Sequence, residues 1–82
     1  MSEAVITVYS KPRCVQCDAT KRWLDARNVD HEVVDVSQDA AALERIKELG
    51  YLQAPVVVTP DSHWSGFNPD KLGEALSQLV AA

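Results

Sequence analysis

Two cysteines stand three positions apart in this chain of 82 residues, as Cys14-Val15-Gln16-Cys17, and they are its only cysteines. A pair at that spacing can cycle between dithiol and disulfide, give two thiolates to a metal, or form a fixed cross-link. Context separates these. A nearly continuous apolar, β-branched run from Ala4 to Tyr9 precedes the pair, Ser10-Lys11-Pro12-Arg13 breaks it, and a helical pattern starts at Cys14. The cysteines therefore stand where a strand has ended and a helix begins. Free backbone N–H groups and the positive dipole end of a helix N-terminus both stabilise a thiolate. A cysteine so placed has its pKa lowered from about 8.5 into or below the physiological range. Lys11 and Arg13 before the pair and Lys21 after it add charge of the helpful sign.

The spacing also sets the second sulfur one helical turn further on, within reach of a disulfide made by the first. Cys14, nearer the dipole end and solvent, is expected to attack a substrate disulfide. Cys17 shares a helix face with Thr20 and Leu24 and is expected to be the more buried thiol, which resolves the mixed disulfide and leaves a Cys14–Cys17 disulfide. A structural cross-link is the weaker reading, because closing so short a loop removes little unfolded-chain entropy. Zinc needs four ligands, and only His31 and His63 remain, without the close His-x3–5-His spacing of a finger. The expectation is redox chemistry with no metal and no cofactor; metal binding and two inert core cysteines are the competing readings.

The elements that must hold this pair follow from composition and periodicity. At 46% hydrophobic and 24% charged, with 3 Gly and 4 Pro, the chain is neither disordered nor low-complexity. Its net charge of -4 disfavours nucleic acid and anionic membrane as partners. An acidic N-terminus and the lack of any apolar run near 20 residues argue against a signal peptide or membrane span, so a reducing, cytoplasmic setting is expected. The length suits one domain, residues 1–82.

Strands are expected over Ala4–Tyr9, His31–Val36, Pro55–Thr59 and His63–Gly66, the last two joined by the turn Pro60-Asp61-Ser62. Helices are expected from about Cys14 to Asn28, with an Asp18–Arg22 pair, and from Ala40 to Leu49. The second is capped by Ser37 or Asp39, striped by Leu43, Ile46 and Leu49, and closed by Gly50. A third begins at Asn68-Pro69 and carries Leu72, Ala75, Leu76, Leu79 and Val80. The order βαβαββα predicts an α/β fold: a four-stranded mixed sheet, a parallel crossover followed by a closing hairpin, with helices on both faces.

Taken together, the element order, the strand-end Cys14–Cys17 pair and Ala54-Pro55 at a strand start resemble the thioredoxin fold in its short glutaredoxin-like form. Cys14-Val15-Gln16-Cys17, Gly50-Tyr51-Leu52-Gln53-Ala54-Pro55-Val56-Val57, and Trp64-Ser65-Gly66-Phe67 followed by Pro69-Asp70 are similar to segments of the NrdH-redoxins. That resemblance spans nearly the whole chain. It implies an electron donor to the large subunit of class Ib ribonucleotide reductase, itself re-reduced from NADPH through thioredoxin reductase. It implies Cys14 as the attacking and Cys17 as the resolving thiol. It also implies a cis bond before Pro55, which the base rate alone would make trans, with the Ala54 backbone open to an extended partner peptide. Trp64, Ser65, Gly66 and Phe67 would form the loop that replaces a glutathione site. Partner contacts are expected from Lys11, Arg13, Val15, Gln16, Ala54, Pro55 and that loop.

Glutathione is expected to bind weakly or not at all. The Gly-Gly turn and acidic pair that glutaredoxins offer its carboxylate are reduced here to Ser65-Gly66-Phe67-Asn68-Pro69-Asp70, and Pro69 removes one N–H donor. The alternatives are a glutathione-dependent glutaredoxin and, less favoured, a metal or iron–sulfur carrier using the same cysteines. A monomer is expected. Asn68 stands where a basic residue is usual in the NrdH pattern, and Arg13 is more basic than the small or polar residue expected before the pair. Outside the site, Trp23 is expected to pack at the core or rim, His31 to be solvated and His63 to be a surface histidine. Glu44, Arg45, Lys47 and Glu48 are expected on the wet face of the second helix.

Overall fold

The chain is described by a computed structural model that covers residues 6–60 and 62–81, with side chains as far as Ser77. Strand β1 (Ile6–Ser10) lies inside the sheet and is covered on both faces, as its nearly continuous apolar run requires. It pairs in parallel with β2 (His31–Asp35), Ile6 opposite His31 and Ser10 opposite Asp35. On its other side it pairs antiparallel with β3 (Val56–Val58), Val8 opposite Val57. Strand β4 (His63–Ser65) completes a hairpin with β3, setting Trp64 opposite Val57, so the order across the sheet is β2-β1-β3-β4.

Alternation along the strands divides the core into two layers. On one face Ile6, Val8, Val57 and Trp64 pack with Leu24 of helix α1 (Val15–Ala26) and with Leu72 and Ala75 of helix α3 (Pro69–Ala81). On the other, Tyr9 and Val56 pack with Val36 and with Ala42 and Ile46 of helix α2 (Ala40–Glu48). Each fully buried Leu or Ile contributes about 1.5–3 kcal/mol of burial free energy. The mixed sheet and its helices on both faces agree with the expected architecture.

Element ends differ from expectation for local reasons. Helix α1 starts one residue later, because Cys14 is extended (φ -113°, ψ 107°) and serves as the N-cap. It stops at Ala26 rather than Asn28 because Asn28 takes a left-handed conformation, φ 54°. The amides of Asn28 and Val29 then donate to Asp25 O (3.1 Å) and Leu24 O (3.0 Å), a Schellman closure with Asn in the usual glycine position. Asp18 pairs with Lys21 at 3.5 Å, one residue short of the expected Arg22. Asp39 caps α2, accepting from Ala42 N–H at 3.0 Å, while Ser37 hydrogen-bonds Asp35 instead. Ala42 and Ile46 form the buried stripe of α2, with Leu43 and Leu49 only half-buried.

Gly50, at φ +95°, closes α2 as expected, with Gly50 N–H to Lys47 O and Tyr51 N–H to Ile46 O, both 2.9 Å. Strand β2 ends at Asp35 rather than Val36, β3 lacks Pro55 and Thr59, and β4 stops before Gly66. Thr59 instead ties the hairpin turn through its N–H to Ser62 O at 2.8 Å. Expectations for Ala4 and Val5, for Asp61, and for the side chains of Leu79 and Val80 fall outside the described residues.

Candidate functional site

Strand β1 delivers the chain to an exposed turn, Lys11-Pro12-Arg13, whose last residue is left-handed (φ 59°). That reversal brings Cys14 to the cap of α1 and sets its Sγ over the open amides of the first turn. The sulfur accepts a hydrogen bond from Cys17 N–H at 3.1 Å. Cys14 and Cys17 are joined as a disulfide, their Cα atoms 5.1 Å apart. Cys14 is 9% exposed and Cys17 1%, so Cys17 is the more deeply buried of the pair, as the helix face implied. Thr20, fully buried one turn below, donates its hydroxyl to Gln16 O at 2.9 Å.

Across from the sulfurs lies the loop that enters β3. The Ala54–Pro55 peptide is cis, Pro55 is buried, and Ala54 O lies 3.8 Å from Cys14 Sγ. The third wall is the turn after β4. Gly66, at φ +84°, donates its N–H to Pro55 O at 2.8 Å, and Gln16 Oε1 accepts from Phe67 N–H at 3.0 Å. A side chain at position 66 would be strained at that φ, and its Cβ would stand 3.2 Å from Gln16 Oε1. Asn68 Oδ1 accepts from Lys71 N–H at 3.1 Å, so it caps α3 as expected.

Of the residues singled out in the sequence, Cys14, Cys17, Gln16, Ala54, Pro55, Gly66 and Phe67 come together here. Val15 is 83% exposed beside the sulfurs, and Lys11, Arg13 and Ser65 are exposed as well. Trp64 is the exception. Its side chain lies in the core against Leu72 and Ala75, 5% exposed, and its indole N–H meets no partner among the described residues. Any contact it makes with a partner is through its backbone, because alternation on β4 turns its ring inward.

Two features escaped the sequence reading. Leu52, 86% exposed, adds an apolar side chain two residues before Ala54; an unexplained leucine in a turn segment was the available signal. Tyr51 and His63 share a hydrogen bond of 2.7 Å and an edge-on ring contact, linking the loop before β3 to strand β4. His31 is likewise not simply solvated: its Nδ1 lies 2.9 Å from Val29 O and its Nε2 3.8 Å from Asp25. His31 and His63 sit on β2 and β4, opposite edges of the sheet and three strand spacings apart, roughly 14 Å. They do not converge on the cysteines. Among the described residues no cluster of three or more His, Cys, Asp or Glu is placed to hold a metal ion, and no helix is long and apolar enough to cross a membrane.

Comparison with known proteins places this geometry. The glutaredoxin family model matches residues 6–64. The glutaredoxin-like protein NrdH of Escherichia coli K12 is 43% identical over 67 residues, covering 82% of this chain and 83% of that protein. Its counterpart in Lactococcus lactis subsp. lactis IL1403 is 33% identical over 70 residues, 85% of this chain and 97% of that protein. The solved structure of the E. coli NrdH-redoxin, described there as having a thioredoxin-like activity profile, superposes with a TM-score of 0.81. It shares 42% identity and covers 84% of this chain and 91% of its own.

Proposed function

The chain belongs to the glutaredoxin family, as one of its NrdH-type proteins with a redox-active cysteine pair, and from that premise we propose a dithiol carrier for class Ib ribonucleotide reductase. In this reading it reduces the active-site disulfide of the large subunit and is re-reduced from NADPH by thioredoxin reductase. One observation carries the chemistry. Cys14 Sγ occupies the cap of α1, accepts Cys17 N–H, and belongs to the less buried cysteine of the pair. The same N–H and the helix dipole favour a thiolate there once the disulfide is reduced.

The cycle then balances in two steps. Cys14 thiolate attacks one sulfur of the target disulfide; that S–S bond breaks, a mixed disulfide forms, and the other target sulfur leaves as a thiolate that takes up a proton. Cys17 gives up its proton and attacks Cys14 Sγ, expelling the second target thiolate, which is protonated in turn. The target gains two electrons and two protons, and the Cys14–Cys17 disulfide remains. Ala54, beside the sulfur, offers its backbone for pairing with the target strand.

Weak glutathione binding belongs to the same proposal, and it has a physical basis in the loop. The Gly66 and Phe67 amides, which could face a carboxylate, already donate to Pro55 O and Gln16 Oε1, and Pro69 has no N–H to offer. Disulfide reduction should therefore run when NADPH and thioredoxin reductase are supplied, and poorly with NADPH, glutathione and glutathione reductase. Efficient turnover only in the glutathione arm would overturn the assignment.

A further inference from the structure

The β1–α1 turn carries a feature that the redox cycle does not use. Arg13 holds a left-handed backbone, unfavourable for any residue with a Cβ, at a position where glycine would sit without strain. Its side chain and that of Lys11 are exposed. Among the described residues the ion pairs are Lys21–Asp18, His31–Asp25 and Lys47–Glu44, so no described carboxylate pairs with either cation. Lys21, the third basic residue near the cysteines, is tied to Asp18. Val15, next to Cys14 in the chain, is 83% exposed, and Leu52, two residues before Ala54, is 86% exposed, each beside an exposed glutamine, Gln16 and Gln53. The surface around Cys14 thus offers unpaired cations at Lys11 and Arg13 and exposed apolar side chains at Val15 and Leu52, on a chain whose net charge is -4.

We infer that Arg13 and Lys11 select targets whose disulfide lies in an extended, acidic segment, with carboxylates meeting the turn at 11–13 and an apolar residue meeting Val15 and Leu52. The inference rests on the thiol–disulfide reading and names the kind of segment that reading leaves open. The strained Arg13 is a specificity residue, acting through charge on the bound segment. Exposed pairs of this kind are individually weak, so two of them give a preference of about fivefold.

A single-turnover experiment on the chemically reduced protein tests this without any reductase. Two peptides of equal length carry the same internal disulfide, one flanked by Asp and Glu, the other by Lys. The readout is the ratio of their second-order rate constants. Because one thiol serves both peptides, any change in its reactivity cancels in the ratio. The wild type should prefer the acidic peptide about fivefold at low ionic strength, with the preference shrinking toward unity in 0.5 M salt. Arg13→Gly with Lys11→Gln, which relieves the backbone rather than straining it, should bring the ratio close to one, and Lys11→Glu with Arg13→Glu should invert it. A wild-type ratio near one, or one the variants do not move, overturns the inference and leaves the redox reading standing. Failure of the wild type to reduce either peptide overturns both.

Discussion

Gln16 stands between the two cysteines, yet its side chain binds a backbone amide 51 positions away, that of Phe67. Removing it in Gln16→Ala costs about 1 kcal/mol of stability and frees that amide. Activity in the glutathione-coupled assay should then rise severalfold over the wild type; no rise would show that the loop excludes glutathione by other means. Gly66→Ala should cost about 1–2 kcal/mol in urea unfolding, from its positive φ and the crowding against Gln16 Oε1. Part of that cost should disappear in the double variant, since the crowding partner is gone. For the sulfurs, Cys17→Ser should accumulate mixed disulfides through Cys14, detected by intact mass, whereas Cys14→Ser should accumulate none. Trapping through Cys17 would reverse the roles. The cysteine pair could be read from the sequence because three positions of spacing are local. The Gln16–Phe67 bond could not, since it exists only after α1 and the end of β4 are brought together.

At the scale of elements, periodicity located every strand and helix, while their ends were set by single residues whose side chains chose among near-equal options. Asp18 was free to pair with Arg22 or Lys21 and took the nearer. Asn28 ended α1 two residues early by adopting the left-handed region that the sequence pattern assigned to Gly50 alone. Asp39 and Ser37 both suited the cap of α2, and Asp39 makes the bond. Asp39→Ala should therefore lower stability by about 1 kcal/mol, read as a fall in the urea midpoint, while Ser37→Ala should change it by much less. Trp64 shows the opposite case. Its motif suggested a surface role, but a one-residue alternation on a three-residue strand, with Val57 opposite, turned the indole into the core.

For the molecule as a whole, the sheet separates a layer shared with the cysteines from one that is not. Leu24 and Leu72 pack on the face where α1 carries Cys17, whereas Ile46 packs on the far face with Tyr9 and Val56. Ile46→Ala should cost about 2–5 kcal/mol in urea unfolding yet leave the rate of disulfide reduction within about twofold at temperatures where the variant is folded. Leu24→Ala should lower both. Equal effects on rate from the two would mean that the layers are not mechanically separate. The strand order has a consequence for synthesis. β1 emerges from the ribosome long before β3, the strand that covers its second edge, and α1, β2 and α2 all lie between them in the chain. Until residues 56–58 arrive, a nearly continuous apolar strand presents one row of unpaired backbone groups. A fragment ending at Gly50 should therefore associate with copies of itself, while the full chain closes that edge from within.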